Sequence, residues 1–296
     1  AVGGVGQPCS GTYNPRKKLT IFPLPMPELP EVETTRRGLV PHLVGRRVRG
    51  AVVRNPNLRW PVPGDLARRL EGEEVLDIRR RGKYLLIDFR RGHLLVHLGM
   101  SGRLSLVPGD APVKRHDHID VQLEGNQSLR LTDPRRFGAM LWVPEPAERH
   151  QLLAWLGLEP LESGFTGAAL RERAKGRRVA VKQFLMNGRI VVGVGNIYAS
   201  EALWRAKVHP LRSVARISPE AWNRIAAAVR HTLKHAISAG GSTLRDFAAV
   251  DGRAGRYQQR HSVYGREGKP CRRCGAKIRA VRQGQRSTFF CPRCQR

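Results

Sequence analysis

A chain of 296 residues with 41% hydrophobic content is too apolar for a disordered polymer and long enough for about two domains with real cores. Its 53 Lys and Arg against 24 Asp and Glu give a formal net charge of +29, which calls for a polyanionic partner without choosing between DNA, RNA and an acidic membrane surface. No apolar run approaches the roughly eighteen residues of a membrane-spanning helix, and the IFPLP segment is a poor signal-peptide core, so a soluble cytoplasmic protein with no membrane role is expected.

Residues 1–26 read as a disordered leader, because they lack acidic residues and any apolar periodicity. MPELPEVE follows, where proline suits a first helical position and glutamates suit the positive end of the macrodipole, predicting a helix from about Pro30 to His42. RVRGAVVRN, EVLDIRRRGKYLLIDF, HLLVHLGMSGRLSLV, HIDVQLEG and SLRLTDPRRFGAMLWV come next, separated by short turn signals. Such closely spaced, partly alternating runs predict an antiparallel sandwich or barrel. After Pro144 the pattern turns helical, with RHQLLAWLG and NIYASEALWRAKV as candidate helices. SPEAWNRIAAAVRHTLKHAISAGG is the clearest helix, with Ser218 as N-cap, Pro219 at N1, an apolar line through Trp222, Ile225, Val229, Leu233 and Ile237, and Gly240 as its stop.

Near the C-terminus, Cys271, Cys274, Cys291 and Cys294 form two C-x-x-C pairs at the spacing of a closed structural zinc site, and AKIRAVRQGQRSTFF between them predicts a hairpin held by the metal. Cys9, in the leader, is an ordinary free thiol. His116 and His118 lack a third nearby ligand, and packing or hydrogen bonding accounts for them better than a metal. Asn196, after the glycine-rich GVG, is expected to cap the helix IYASEALWRA, whose N-terminus suits a phosphate.

MPELPEVET, RRRGKYLL, HLGMSG, RHDHID, TDPRRFGA, VVGVGNIYASEALW, GGSTLRDF, VYGREGKPC and QRSTFFCPRCQ together closely resemble bacterial formamidopyrimidine-DNA glycosylase, in order from Met26 to Arg296. The resemblance implies an α+β fold: an N-terminal antiparallel β-sandwich with a flanking helix, then a helix-two-turn-helix domain ending in a four-cysteine zinc-finger hairpin. It implies a catalytic domain over 27–150, a DNA-binding domain over 160–260 and a finger over 261–296. The implied activity is base-excision repair, removing oxidised purines from duplex DNA and then cleaving the strand. One structural zinc ion, damaged double-stranded DNA as partner, no obligate protein partner and a monomeric state go with it.

The resemblance also distributes roles. With Met26 removed, Pro27 becomes a terminal secondary amine able to form a Schiff base with the sugar. A generic α-amine of pKa about 7.8 is about 14% neutral at about pH 7, against about 0.04% for a lysine. Glu28 is the implied acid/base, Glu31 a supporting carboxylate, and Glu33 a helix-end charge. Lys83 and Arg286 match the phosphate clamp, joined by Asn196 and by Lys182 as a further candidate. Met100, Arg135 and Phe137 match the wedge that fills the hole left by an extruded nucleotide.

Two departures stand out. Ala254 and Arg256 occupy a lesion-capping segment that commonly carries a proline and an aromatic, and a retained leader would make the Pro27 nitrogen an amide without nucleophilic character. The alternatives are therefore an endonuclease VIII-type enzyme for oxidised pyrimidines and, with the leader in place, a zinc-finger DNA-binding protein without catalysis.

Overall fold

The computed structural model describes residues 26–144, 146–242 and 257–296. The leader with Cys9, and the departures at Ala254 and Arg256, lie outside them.

Helix α1, Leu29–Leu43, opens with Pro30 in its first turn, where the missing N–H costs nothing, and buries Leu29, Val32, Leu39 and Leu43. Eight strands follow: β1 Val48–Val53, β2 Asp77–Arg81, β3 Tyr84–Phe89, β4 Gly92–His97, β5 Arg103–Pro108, β6 Asp117–Leu123, β7 Gln127–Thr132 and β8 Ala139–Val143, with a one-turn helix α2, Leu66–Leu70, after β1. They form two antiparallel four-stranded sheets, β1-β6-β7-β5 and β2-β3-β4-β8.

The second sheet is buried on both faces. Leu85, Ile87, Leu94 and Val96 enter the main core, while Leu86, Leu95 and Leu141 pack on the other side against Ala147 and Leu153. That explains the near-continuous apolar runs YLLIDF and HLLVH. It also explains a correction: RHQLLAWLG is not an α-helix but a 3₁₀ turn, Ala147–Arg149, followed by single turns. Leu153 and Ala154 both donate to the carbonyl of His150, and Gly157 N–H leaves for Gly188 O. Covering the sheet outweighs the gain from extending so short a helix.

The helical part comprises α3 Gly167–Ala174, α4 Val181–Leu185, α5 Asn196–Ala206 and α6 Pro219–Ser238. Helix α6 follows its sequence pattern closely. Ser218 Oγ accepts from Ala221 N at 3.3 Å, the line from Trp222 to Ile237 is buried, and Gly240 leaves the helix at φ +74. One contiguous core joins Leu29 and the sandwich to Ile197, Leu203 and Trp222, so the two halves are packed together. The predicted hairpin forms as β9 Arg279–Gln283 and β10 Arg286–Phe290 around a two-residue turn, Gly284–Gln285.

Candidate active site and metal centre

Glu28 precedes α1, yet its carboxylate serves a different helix. Its Oε2 accepts from Gly195 N at 2.7 Å and Tyr198 N at 3.4 Å, and Oε1 accepts from Ile197 N at 2.9 Å. The first-turn amides of α5 are thus satisfied by a carboxylate from the other domain, the arrangement a helix N-terminus favours. Gly195 permits this approach, since an added Cβ would lie 2.4 Å from Glu28 Cδ. Asn196 is therefore not the cap expected from its position; Gly195 is the capping residue and Asn196 the first helical one. The Asn196 side chain turns instead to the finger hairpin, donating to Ser287 O at 3.1 Å and accepting from Lys182 Nζ at 2.5 Å.

Glu31 lies one turn further along α1, fully buried. Its Oε2 accepts from Glu28 N at 3.0 Å, while Oε1 accepts from Tyr198 Oη at 2.6 Å and Ser242 N at 2.7 Å. Burial, aided by the charge of Glu28, pushes its pKa up to about 7. Burial also raises the Glu28 pKa, against the pull of Lys83 and the three amides. Glu33 is a buried junction for Arg36, Arg37 and Arg80, and its pKa is lowered: burial pushes up, and the three arginines outweigh it.

A cavity of about 210 Å³ beside buried Pro27 is lined by Glu28, Lys83, Met100, Asn196, Tyr264 and Arg286, among others. Five residues singled out in the sequence thus converge on one space. Lys83 reaches it from the β2–β3 turn, and burial lowers its pKa while Glu28 and Glu31 oppose that shift. Lys182 is buried behind the cavity, where Nζ donates to Thr288 Oγ1 at 2.7 Å and Asn196 Oδ1 at 2.5 Å; burial drives its pKa down to about 7. Lys182 and Arg286 also line an adjoining cleft of about 640 Å³ between α4 and the hairpin, together with Arg177.

Arg135 and Phe137 stand on the exposed β7–β8 loop, with Arg135 Cζ 5.0 Å from the Phe137 ring centroid. Met100 sits on the neighbouring β4–β5 turn. There Gly99, at φ +61, leaves no room for a side chain: a Cβ would meet Phe137 C at 2.4 Å. Buried Asp133 holds both loops, accepting from Ser101 Oγ at 2.8 Å and Gly138 N at 2.8 Å. His118 Nε2 donates to Asp133 O at 2.8 Å, the hydrogen-bonding role expected of that residue.

The four cysteine sulfurs lie within 4.8 Å of one another, with Cys274–Cys291 at 3.4 Å and Cys271–Cys294 at 4.0 Å. A tetrahedron of about 2.3 Å metal–sulfur bonds has edges of about 3.8 Å, so the cluster fits a metal ion. Backbone N–H groups of Arg273 and Cys294 point at Cys271 Sγ and Cys291 Sγ, at 3.5 and 3.4 Å.

Several supporting residues carried no sequence signal of their own. Glu159 takes Arg80 Nη1 at 2.7 Å, Arg81 Nη1 at 3.1 Å and Gly82 N at 3.0 Å, fixing the turn that presents Lys83. His97 lies opposite Tyr84 in the β3–β4 ladder, and burial with the nearby Lys83 charge lowers its pKa to about 4. Its Nδ1 accepts from Gly99 N at 3.0 Å, so the neutral ring carries its proton on Nε2. Glu201 satisfies the N–H groups of Ser262, Val263 and Tyr264 at 2.8, 2.9 and 2.9 Å. Each lies in an ordinary acidic or basic context, and only the fold supplies its partners.

A two-sheet domain carrying a buried acidic N-terminal helix, locked to a helical domain that ends in a four-cysteine hairpin, defines a DNA glycosylase of the helix-two-turn-helix class. Family models match in the same order: the formamidopyrimidine-DNA glycosylase N-terminal domain over residues 26–140, the H2TH domain of that enzyme over 156–248, and the zinc finger found in FPG and IleRS over 268–296. The chain is 58% identical over 271 residues to the formamidopyrimidine-DNA glycosylase of Aromatoleum aromaticum and 56% identical over 271 residues to that of Syntrophotalea carbinolica; each match covers 92% of this chain and 100% of the relative. The crystal structure of the MutM (FPG) protein from Thermus thermophilus superposes with a TM-score of 0.82 at 40% identity, covering 91% of this chain and 98% of that one. A Lactococcus lactis FPG mutant in complex with Fapy-dG-containing DNA gives 0.85 at 33%, covering 91% and 100%. The chain belongs to the formamidopyrimidine-DNA glycosylase family, and is a base-excision repair enzyme.

Proposed function

We propose that this glycosylase excises oxidised purines, such as 8-oxoguanine and formamidopyrimidines, from duplex DNA and then cleaves the strand, using Pro27 as nucleophile. The observation that carries the proposal is the convergence of Glu28, Lys83 and Arg286 on one cavity beside Pro27. The Lactococcus lactis complex with lesion-containing DNA supports damaged duplex DNA as the partner.

The chemistry requires a polypeptide that begins at Pro27, so that its nitrogen is an amine. The nitrogen lone pair attacks C1′, the glycosidic bond breaks, and the base leaves with the bonding pair and a proton. Glu28, whose raised pKa favours its acid form, protonates O4′ as the sugar ring opens to the iminium. Loss of a C2′ proton expels the 3′ phosphate, and a second elimination expels the 5′ phosphate, leaving a one-nucleotide gap. Glu31 fixes the peptide next to the amine through Glu28 N–H.

Lys83 and Arg286 grip the phosphates flanking the lesion, with Asn196 and Lys182 aligning the hairpin that carries Arg286. The cleft lined by Arg177, Lys182 and Arg286 continues the cationic path for the backbone. Met100, Arg135 and Phe137 enter the duplex where the nucleotide leaves it: the thioether and ring replace stacking, and the guanidinium pairs with the widowed base. Cys271, Cys274, Cys291 and Cys294 hold one zinc ion, which the all-thiolate set favours, and the ion does no chemistry. The enzyme acts as a cytoplasmic monomer.

Borohydride trapping tests the mechanism with the chain beginning at Pro27, on duplexes carrying 8-oxoguanine or an oxidised pyrimidine. The expected result is a covalent adduct mapped to residue 27, formed faster on the purine lesion. An adduct on Lys83, or none, overturns the nucleophile; preference for the pyrimidine overturns the substrate.

A further inference from the structure

Trp204 lies near the C-terminal end of α5 and reaches into the metal centre, where it packs in the same apolar shell as Cys271, Cys274, Cys294 and Tyr264. Arg273, inside the first C-x-x-C pair, covers one face of the indole with Cζ 4.3 Å from the ring centroid, and its Nη1 donates to the Trp204 carbonyl at 3.3 Å. The ring is thereby held in one orientation. Its Nε1–H is buried and has no hydrogen-bond partner. The sulfur of Cys271 lies in the same shell.

A thiol sulfur is a weak acceptor, whereas a metal-bound thiolate carries charge and accepts well. Four thiolates on a divalent cation leave a net charge of −2 in a largely apolar shell, which oriented donors must offset. We propose that Trp204 is an outer-shell donor of the metal centre, its indole N–H directed at the Cys271 thiolate and its ring locked by Arg273, so that metal binding pins the far end of the helix whose N-terminus holds Glu28. This rests on the zinc reading above. It gives a physical reason for a buried indole N–H that would otherwise lack a partner, and it makes α5 the strut between the metal centre and the active-site carboxylate.

The test is competition for zinc between the full chain and a chromophoric chelator, comparing the parent with Trp204→Phe, which keeps an aromatic ring and removes the N–H, and with Arg273→Ala, which unlocks the ring. Zinc affinity should fall about tenfold in Trp204→Phe, the low end of the range for outer-shell partners, and by less in Arg273→Ala. Affinity of Trp204→Phe within twofold of the parent overturns the proposal. On the unmodified chain, the Trp204 indole N–H should be protected from hydrogen exchange when zinc is bound and lose that protection when zinc is stripped; exchange equally fast in both states also overturns it. A parent chain that binds no zinc refutes the zinc reading itself, a result separate from either outcome for Trp204.

Discussion

The phenol of Tyr198 donates to Glu31 at 2.6 Å, and the opposite oxygen of the same carboxylate holds the N–H of Glu28 at 3.0 Å. A helix of one domain thus fixes, through a single buried acid, the first peptide bond of the other. The pKa of Glu31 stands at about 7 instead of 4.5, so the folded chain keeps a proton that the unfolded chain releases. The sign follows: this contribution is full below about pH 4.5 and is lost as pH rises through about 7, a change on the order of 3 kcal/mol. Denaturant melts at about pH 4.5 and 7.5 should therefore show a smaller pH-dependent loss in Glu31→Gln than in the parent. Equal losses would refute the assignment.

Glu159 and Arg80 are both buried, and Glu159 also binds Arg81 and Gly82 N. Removing the carboxylate leaves Arg80 with Glu33 and the Gly82 carbonyl but leaves the Gly82 N–H without its acceptor, which costs about 1–3 kcal/mol. Glu159→Ala should lower stability by that amount in chemical denaturation. It should also slow strand cleavage more than the Glu159→Gln change, which retains an acceptor for Gly82 N.

Asp133 ties the Met100 turn to the Arg135–Phe137 loop through Ser101 and Gly138. Asp133→Ala should loosen that pair without disturbing Glu28 or Pro27. We expect about a tenfold loss of excision from duplex DNA, with little change in trapping on a single-stranded abasic oligonucleotide, which needs no wedge. Equal losses on both substrates would move Asp133 from wedge support to general folding.

Stripping the metal with a chelator should unfold the finger, because unpaired thiols cannot replace the closed centre. Lys182 would then lose its contacts with Ser287 and Thr288, and Arg286 its place at the cavity. Duplex binding, followed by fluorescence anisotropy, should weaken and recover on adding zinc back, while the apolar sandwich core keeps its strand signal in circular dichroism.

The parts legible in the sequence are those whose cause is local or covalent. Helix α6 is announced by Ser218, Pro219 and its apolar line, and the metal centre by the C-x-x-C pairs. The strands appear as apolar runs, but the second buried face of β2-β3-β4-β8 does not, and for that reason RHQLLAWLG reads as a helix when it is a cover for that face. The site is less legible where it depends on contacts between distant segments. Asn196 carries the expected signature of a cap, yet Glu28, 167 residues before Gly195, does that work. Asp133, Glu159, Glu201 and His97 have no spacing rule to reveal them, since their partners meet only after folding.

The clasp between Glu28 and α5 has a temporal meaning as well. During synthesis the domain bearing Pro27 leaves the ribosome well before the helix that must receive the carboxylate. Until α5 arrives, Glu28 has no amides to orient it, the cavity has only one wall, and Lys83 has no Arg286 across from it. The cavity lined by Glu28, Lys83 and Arg286 is thus complete only when the last part of the chain has docked onto the first.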